Sequence, residues 1–301
     1  MSYNRRGFLK AGGMFASGVL LSSSAVKALA KHSGADEFHS EYGKLKEFAL
    51  QLYSVRDDIP KDPKGVLAKI ASYGYKQVES FEGGKGMFWG MTNTEFKKYL
   101  DGLGMKIISS HCDINRDFEK KASDAAEIGM KYLICPYIGP QKTVDDYKKY
   151  AEKFSACGAI CKKNGIRFAY HNHGYSFTKF QGIYPQDIMM QNSDPSTVDF
   201  QMDMYWVITP GADPIEWLNK YPNRFRLGHV KDREKNAVPG NPDASCDLGT
   251  GSIDYSKIIK VSAAKGMKYF IVEQEKYTNT TPLKSAEVDA AYIKTLTIEV
   301  A

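Results

Sequence analysis

Histidines and carboxylates stand at the ends of hydrophobic, β-rich runs in this sequence. Four of the six histidines of the 301-residue chain occur there with two acidic residues: His111, His171, His173, His229, Asp203 and Glu273. Imidazole and carboxylate groups that meet at one place are usual ligands of Mn, Zn, Co, Fe or Ni, whereas Mg and Ca prefer shells made only of oxygen. The residue types therefore predict one divalent metal, provided that the fold brings these run ends together.

The spacing adds that several of these side chains share a face. Residues two apart in a β-strand point to the same side. His171 is therefore expected to face the same side as His173, and His229 the same side as Lys231. A single histidine at a strand end is more often structural, so the prediction depends on the convergence of several.

Short β-rich runs alternate with amphipathic helical stretches from residue 48 onward. The predicted strands are Phe48–Val55, Tyr75–Phe81, Lys106–Asp113, Tyr132–Ile138, Ile166–Tyr175, Val198–Met204, Phe225–Asp232 and Tyr269–Glu275, and the predicted helices span about 63–73, 94–103, 117–129, 143–164, 185–192, 213–220, 254–265 and 284–298. Eight such units favour an α/β protein with a single (β/α)8 TIM barrel, whose strand ends form one rim. A doubly wound open sheet is the alternative, but no G-x-G-x-x-G follows the first strand.

The first 30 residues have the anatomy of an export signal. Arg5 and Arg6 precede a Phe-Leu-Lys triplet, an apolar stretch rich in small residues follows, and residues 28–30 give an A-x-A cleavage site. The adjacent arginines resemble a twin-arginine signal. We therefore predict export to the periplasm with a signal over 1–30, a linker over 31–47 and a catalytic barrel over 48–301. No stable membrane span is expected after cleavage.

Composition excludes several classes of protein. With 43% hydrophobic and 25% charged residues, the chain is neither disordered nor collagen-like, and its five cysteines form no recognisable disulfide framework. The formal net charge is +6, but the first 30 residues contribute four basic residues and no acidic ones. The nearly neutral remainder offers no basic surface for nucleic acid, so a small-molecule partner is expected.

Four motifs give the chain a family resemblance. They are Tyr-His-Asn-His at 170–173, Gly-His-Val-Lys-Asp at 228–232, Leu-Gly-Thr-Gly-Ser-Ile-Asp-Tyr at 248–255 and Val-Glu-Gln-Glu at 272–275. With them the chain resembles, from about residue 48 to about 296, the xylose isomerase-like TIM barrels, a superfamily of sugar (phosphate) isomerases and epimerases and of endonuclease IV-type nucleases. The resemblance implies one metal held by side chains of strands 5 to 8, which here would be His171, Asp203, His229 and Glu273.

The strand-5 position departs from the family pattern. His171 stands where these proteins usually have Glu, and His173 could replace it as the ligand because both are expected to point inward. Phe177, Trp206 and Lys235 stand where two-base ketose epimerases often have Glu, His and Arg. A ketohexose 3-epimerase of the usual kind is therefore not expected.

The implied chemistry is removal of a proton beside a carbonyl. A metal on the carbonyl oxygen and the adjacent hydroxyl of a sugar stabilises the enediolate, and Glu273 or a histidine not bound to the metal would take the proton. His111, His173 and Lys231 would hold oxygens or return protons. We predict a metal-dependent sugar isomerase or epimerase. The alternatives are a lyase or hydratase that acts on 3-keto-glycosides through the same enediolate, and a non-catalytic periplasmic sugar-binding module.

The predicted export and the aromatic residues at the strand ends narrow the class of substrate that is expected. Sugar phosphates stay in the cytoplasm, so an unphosphorylated carbohydrate is expected. The turn at 249–251 could bind an anion through its N–H groups, but turn geometry is the expected use. Residues 82–90 are predicted to form a mobile loop over the pocket. The predicted substrate-binding residues are Glu79, Trp206, Tyr205 and Trp89, and the resemblance adds an expected homodimer or homotetramer.

Overall fold

The computed structural model describes residues 42–299. The predicted signal over 1–30 and most of the predicted linker over 31–47 lie outside the described residues. The described end of that linker is part of the fold, because strand β1 (Tyr42–Lys44) pairs antiparallel with strand β12 (Thr297–Glu299). The two ends of the described chain are thereby joined by backbone hydrogen bonds.

Eight parallel strands close into a barrel. In their order around the barrel they are β2 (Ala49–Gln51), β3 (Gln77–Phe81), β4 (Lys106–His111), β5 (Tyr132–Cys135), β6 (Arg167–His171), β7 (Val198–Asp203), β8 (Phe225–Val230) and β11 (Tyr269–Val272). Strand β11 pairs with both β8 and β2, which closes the ring. The predicted TIM barrel is confirmed, and the open doubly wound sheet is wrong. Two further short strands, β9 (Asp232–Arg233) and β10 (Ser245–Cys246), pair with each other outside the barrel.

Nine helices are present among the described residues. They are α1 (Pro63–Ser72), α2 (Asn93–Gly102), α3 (Phe118–Glu127), α4 (Val144–Lys163), α5 (Pro185–Asn192), α6 (Met204–Ile208), α7 (Pro214–Lys220), α8 (Tyr255–Ala264) and α9 (Pro282–Ile293). Most begin at an Asp or Thr whose side chain accepts an N–H of the first turn, as Thr92 does for α2. The sequence pattern did not predict α6. The last helix stops five residues before its predicted end because the chain turns back into β12. No helix of residues 42–299 has the length and apolar character needed to cross a membrane.

The side chains inside the barrel change from apolar to polar between one inward-facing position of a strand and the next. A layer of inward-facing hydrophobic residues fills its middle: Ala49, Ile108, Tyr132, Ile134, Ala169, Leu227 and Ile271. Side chains two residues farther along a strand face the same way, and there stand Gln51, His171, His229 and Glu273. The alternation of each strand therefore carries polar groups to the carboxyl-terminal rim, above a packed apolar layer.

Most of the described cysteines are buried in the core. Cys112, Cys135, Cys157 and Cys161 are free and buried, and Cys246 is free and partly exposed. Burial raises the pKa of the Cys135 thiol to about 12 and that of Cys157 to about 11. These thiols are accordingly inert packing groups.

Candidate active site

A cavity of about 400 Å³ opens at the carboxyl-terminal rim of the barrel. Its wall includes the side chains that the sequence pattern predicted to converge: His111, His171, His173 and Glu273, with Glu275 beside them. Asp203, His229 and Lys231 are fully buried and lie next to this wall. The fold therefore unites the predicted residues, in two layers of different exposure.

Lys231, in the buried layer, is surrounded by three carboxylates. Its Nζ lies 2.8 Å from Glu273 Oε2, 2.7 Å from Glu275 Oε2 and 3.1 Å from Asp203 Oδ2. Burial alone would lower the pKa of Lys231, but these carboxylates raise it well above its ordinary value. Burial would raise the pKa of Glu273, but Lys231 and then His229 hold it well below the ordinary range. Both groups are therefore charged at neutral pH.

His229 lies between two carboxylates. Its Nε2 is 2.6 Å from Glu79 Oε1, and its Nδ1 is 3.3 Å from Glu273 Oε2 and 3.9 Å from Asp203 Oδ2. Burial alone would lower the pKa of His229, but Glu273 and Glu79 raise it to about 10. A metal-ligating histidine commonly donates its other N–H to a carboxylate, and Glu79 occupies that position here.

Glu79 does not reach the cavity, which corrects its predicted role in substrate binding. Its carboxylate is fully buried and accepts hydrogen bonds from three side chains besides His229: Gln51 Nε2 at 2.8 Å, Ser109 Oγ at 2.5 Å and Gln201 Nε2 at 2.7 Å. Burial would raise its pKa, but His111 and His229 lower it below the usual range. Glu79 is a permanently ionised acceptor beneath the histidines.

Gln201 joins this carboxylate to two more histidines. Its Oε1 lies 2.8 Å from His111 Nε2 and 2.9 Å from His171 Nδ1. Gln201, Gln51 and Ser109 were not predicted from the sequence. A signal for Gln201 was present, because it stands two residues before Asp203 in β7 and so faces the same side.

His173 lies farther out than His171, in the cavity wall. The centroid of its ring lies 5.0 Å from that of Tyr137 and 5.3 Å from that of Trp206. Its Nδ1 is buried without a hydrogen-bond partner among the described residues. Burial, followed by the charge of Lys231, lowers the pKa of His173 to about 3. It is therefore a neutral imidazole, and its burial and the charge of Lys231 disfavour the protonated form.

The other predicted substrate-binding residues divide between the cavity and the core. Trp206 lines the cavity. Tyr205 is buried and its hydroxyl donates to the backbone oxygen of Pro242, while Trp89 is buried and donates from Nε1 to Ser80 Oγ. Trp89 and Tyr205 are thus packing residues, which corrects their predicted contact with substrate.

The loop at 82–90 and the glycine turn each have a clear structural role. Glu82 and Gly83 line the cavity, whereas Met87, Phe88 and Trp89 are buried and anchor the rest of the segment. In the glycine turn, the N–H groups of Gly249 and Gly251 both donate to Asp232 Oδ2 at 3.0 Å. Those N–H groups are therefore occupied by the protein's own carboxylate, as expected for turn geometry.

A divalent cation fits the group formed by Asp203, His229 and Glu273. One ligand atom from each lies within 4.8 Å of the other two. Asp203 Oδ1 accepts the N–H of Trp206, whereas the buried Oδ2 accepts no hydrogen bond from a described residue and lies 3.1 Å from Lys231 Nζ and 3.9 Å from His229 Nδ1. The carboxylates outnumber Lys231, and buried negative charge without compensation is costly, so a dication would improve the balance.

A second group of potential ligands consists of His111, His171 and His229. One ring nitrogen of each is already engaged by Gln201 or Glu79, so this group is less open to an ion. His171 rather than His173 belongs to it, with its ring centroid 4.6 Å from that of His229. For the strand-5 ligand, the geometry therefore favours His171.

Comparison with known proteins agrees with this architecture. The family model described as xylose isomerase-like TIM barrel matches residues 67–296. An inosose dehydratase of Clostridium perfringens strain 13 is 30% identical over 218 residues, which cover 66% of this chain and 68% of that protein.

Solved structures show the same likeness. A sugar phosphate isomerase/epimerase from Parabacteroides distasonis is 30% identical with a TM-score of 0.72, over 83% of this chain and 97% of that one. The IOLI protein, solved with a zinc atom, is 14% identical and has a TM-score of 0.65. The match covers 82% of this chain and 99% of that one, which shows a shared fold. Since the family match spans most of the closed barrel, the chain belongs to the xylose isomerase-like TIM barrel family and is one of its enzymes.

Proposed function

We propose that the protein is a metal-dependent lyase that eliminates a group β to the carbonyl of an unphosphorylated keto sugar, keto-polyol or 3-keto-glycoside. The observation that carries the proposal is that Glu273 and three histidines line one cavity beside a buried group able to hold a metal. The similarity to an inosose dehydratase, whose name describes loss of water from a keto-polyol, favours elimination over the isomerisation predicted from the sequence.

We assign the metal to Asp203, His229 and Glu273. When bound, a divalent cation supplies the positive charge that stabilises the oxygen anion formed as the C–H beside the carbonyl loses its proton. Lys231 keeps Glu273 ionised, and Glu79 orients His229 so that Nδ1 points toward the carboxylates. This mixed nitrogen and oxygen donor set suits Mn, Zn, Co, Fe or Ni.

We assign the proton transfers to His173. Glu273 is held in ion pairs, whereas His173 starts neutral and its ring has no hydrogen bond to any described residue. His173 takes the proton from the carbon beside the carbonyl, and the electron pair of that C–H bond forms the enediolate. The carbonyl then re-forms, the C=C bond shifts to join the deprotonated carbon to the next carbon, and the C–O bond at that next carbon breaks. The departing oxygen takes the electron pair of that bond and the proton from His173, and it leaves as water or an alcohol.

The charge of the cavity supports an unphosphorylated substrate. Among the described residues that line it, Arg116 is the sole lysine or arginine, and it pairs with Asp113 at 2.8 Å. Glu82, Glu273 and Glu275 add further negative charge to the lining. A phosphate group would be repelled there, which agrees with the predicted export; the periplasmic location and a homodimer or homotetramer remain predictions.

Turnover in D2O tests the proposed reaction. Unphosphorylated keto sugars, keto-polyols and 3-keto-glycosides are incubated with the enzyme and followed by proton NMR. We expect signals of an unsaturated ketone, together with those of the released alcohol where the leaving group is an alcohol. Deuterium uptake beside the carbonyl without loss of the leaving group would identify an isomerase or epimerase instead, and no change in any substrate would favour the sugar-binding module.

Two substitutions separate the metal ligand from the base. Glu273→Gln removes a ligand, so metal content by elemental mass spectrometry should fall from about one equivalent to near zero, and turnover should fall with it. His173→Gln should keep the metal and lose about 10²–10⁴-fold in kcat, because glutamine cannot accept the proton. Full activity of the His173 variant would contradict its assignment as the base.

A further inference from the structure

Glu79 and Gln201 form a buried pair below the cavity. Both are fully buried, neither belongs to the cavity wall, and Gln201 Nε2 donates to Glu79 Oε2 at 2.7 Å. Each follows a shift in strand register, between Val78 and Glu79 in β3 and between Phe200 and Gln201 in β7. Such irregularities re-aim side chains next to active sites.

Glu79 determines which way the Gln201 amide points. An ionised carboxylate only accepts hydrogen bonds, so the amide NH2 must face Glu79. The opposite assignment would set the amide oxygen against a carboxylate oxygen. Gln201 Oε1 therefore faces the histidines, where it lies within 3 Å of a ring nitrogen of both His111 and His171.

The acceptors in turn determine which ring nitrogen carries hydrogen. Because Gln201 Oε1 only accepts, His111 must be protonated at Nε2 and His171 at Nδ1. His111 Nε2 also lies 3.2 Å from Glu79 Oε1, another acceptor. His229 Nε2 faces that same oxygen at 2.6 Å and carries hydrogen as well.

We infer that Glu79 and Gln201 are positioning residues that set the tautomers of His111 and His171 and hold hydrogen at Nε2 of His229. The unprotonated nitrogens are then Nδ1 of His111 and Nε2 of His171, which bond to no described residue, and Nδ1 of His229 is the atom left for Asp203, Glu273 and the metal. Since His111 and His171 line the cavity, their lone pairs are available to substrate hydroxyls. This catalytic consequence rests on the proposed lyase reaction, whereas the tautomers do not.

The tautomers can be read directly from ¹⁵N NMR of histidine-labelled protein, with and without zinc, a diamagnetic ion. The ¹⁵N shift distinguishes a protonated from an unprotonated ring nitrogen, and each signal is assigned by replacing one histidine at a time. We expect hydrogen at Nε2 of His111, Nδ1 of His171 and Nε2 of His229 in wild type. Hydrogen at Nε2 and not Nδ1 of His171 in wild type would overturn the inference without any variant of the pair.

Gln201→Met tests the role of the pair at nearly constant side-chain size. We expect His171 to lose its fixed Nδ1–H, His229 to keep Nε2–H through Glu79, and kcat to fall about 10–100-fold. Gln77→Met is the matched control, because Gln77 is buried in β3 and bonds to Glu47 and to no described histidine.

Two outcomes of that comparison are decisive. If the His171 tautomer is unchanged in Gln201→Met, Gln201 is only a packing residue. The same conclusion follows if His171 also loses its fixed Nδ1–H in Gln77→Met. The spectra need no substrate, so they decide the inference even if the wild-type enzyme eliminates nothing and the proposed function fails.

Discussion

Lys231 is fully buried, and its ammonium group is the cation shared by Asp203, Glu273 and Glu275. From the sequence, Lys231 is predicted to hold substrate oxygens or return protons. Its burial and its three ion-pair partners favour a different role, in which it keeps the carboxylates ionised and fixed. A residue of this kind determines how much negative charge the site presents to a metal.

Removing the Lys231 charge should destabilise the protein and make it depend on a metal. In Lys231→Met, three carboxylates lose their cation, so the free energy of unfolding should fall by about 3–5 kcal/mol in chelator, and Mn or Zn should restore part of it. Thermal unfolding with and without metal measures both effects. Lys220→Met is the control, since Lys220 pairs with Asp187 but is half exposed and should cost only about 0–1 kcal/mol. Equal losses in the two variants would contradict this account.

The junction between a strand and the helix that follows it fixes the position of one site carboxylate. Helix α6 begins directly after β7, and Asp203 caps it through Oδ1, which accepts the N–H of Trp206 at 3.0 Å. The cap fixes the carboxylate so that Oδ2 is turned to Lys231 and His229. Helix α9, on the outside of the barrel, also has a carboxylate that holds a backbone segment. Its Asp289 Oδ1 accepts the N–H of Leu248 at 2.7 Å.

Asp289 predicts a pH dependence of stability. Burial raises the pKa of this carboxyl well above 3.8. The unfolded chain therefore loses this proton at a lower pH than the folded protein, so stability falls as the pH rises from about 4. Asp289→Asn keeps the acceptor for Leu248 and has no charge to bury, so it should raise Tm at pH 8 and lose this advantage toward pH 4. A Tm below wild type at pH 8 would show that the carboxylate is needed.

At the scale of the whole molecule, the closed barrel separates stability from chemistry. The apolar layer and the helices around the barrel form the core, while the polar side chains lie at one rim. Strands β1 and β12 tie the ends of the described chain together. A buried set of like charges at the rim is tolerated in such a scaffold, and a bound dication would relieve part of its repulsion.

Metal removal should therefore lower the stability of the entire protein. A ligand that binds only the folded state at 100 times its Kd stabilises it by about 2.7 kcal/mol, or roughly 5–10 °C in Tm for a domain of this size. Scanning calorimetry in chelator and in Mn or Zn measures the shift. Asp203→Asn removes a ligand and should abolish the response; a metal-dependent Tm in that variant would move the site elsewhere.

The sequence by itself determined the barrel and the residues at its rim. Both follow from local periodicity: eight alternating strand and helix patterns leave few topologies, and parallel strands in a barrel must end at one rim. Alternation along each strand then points His171, Asp203, His229 and Glu273 inward without reference to any distant residue.

Only the tertiary structure decided what each inward residue does. Glu79 and Gln201 are 122 residues apart in the chain, and no local pattern announces that they bond to each other. Burial separated Glu79, Tyr205 and Trp89 from the cavity, and the approach of β7, β8 and β11 surrounded Lys231 with carboxylates. The physical reason is that hydrogen bonds, ion pairs and desolvation depend on neighbours in space, which a strand pattern does not specify.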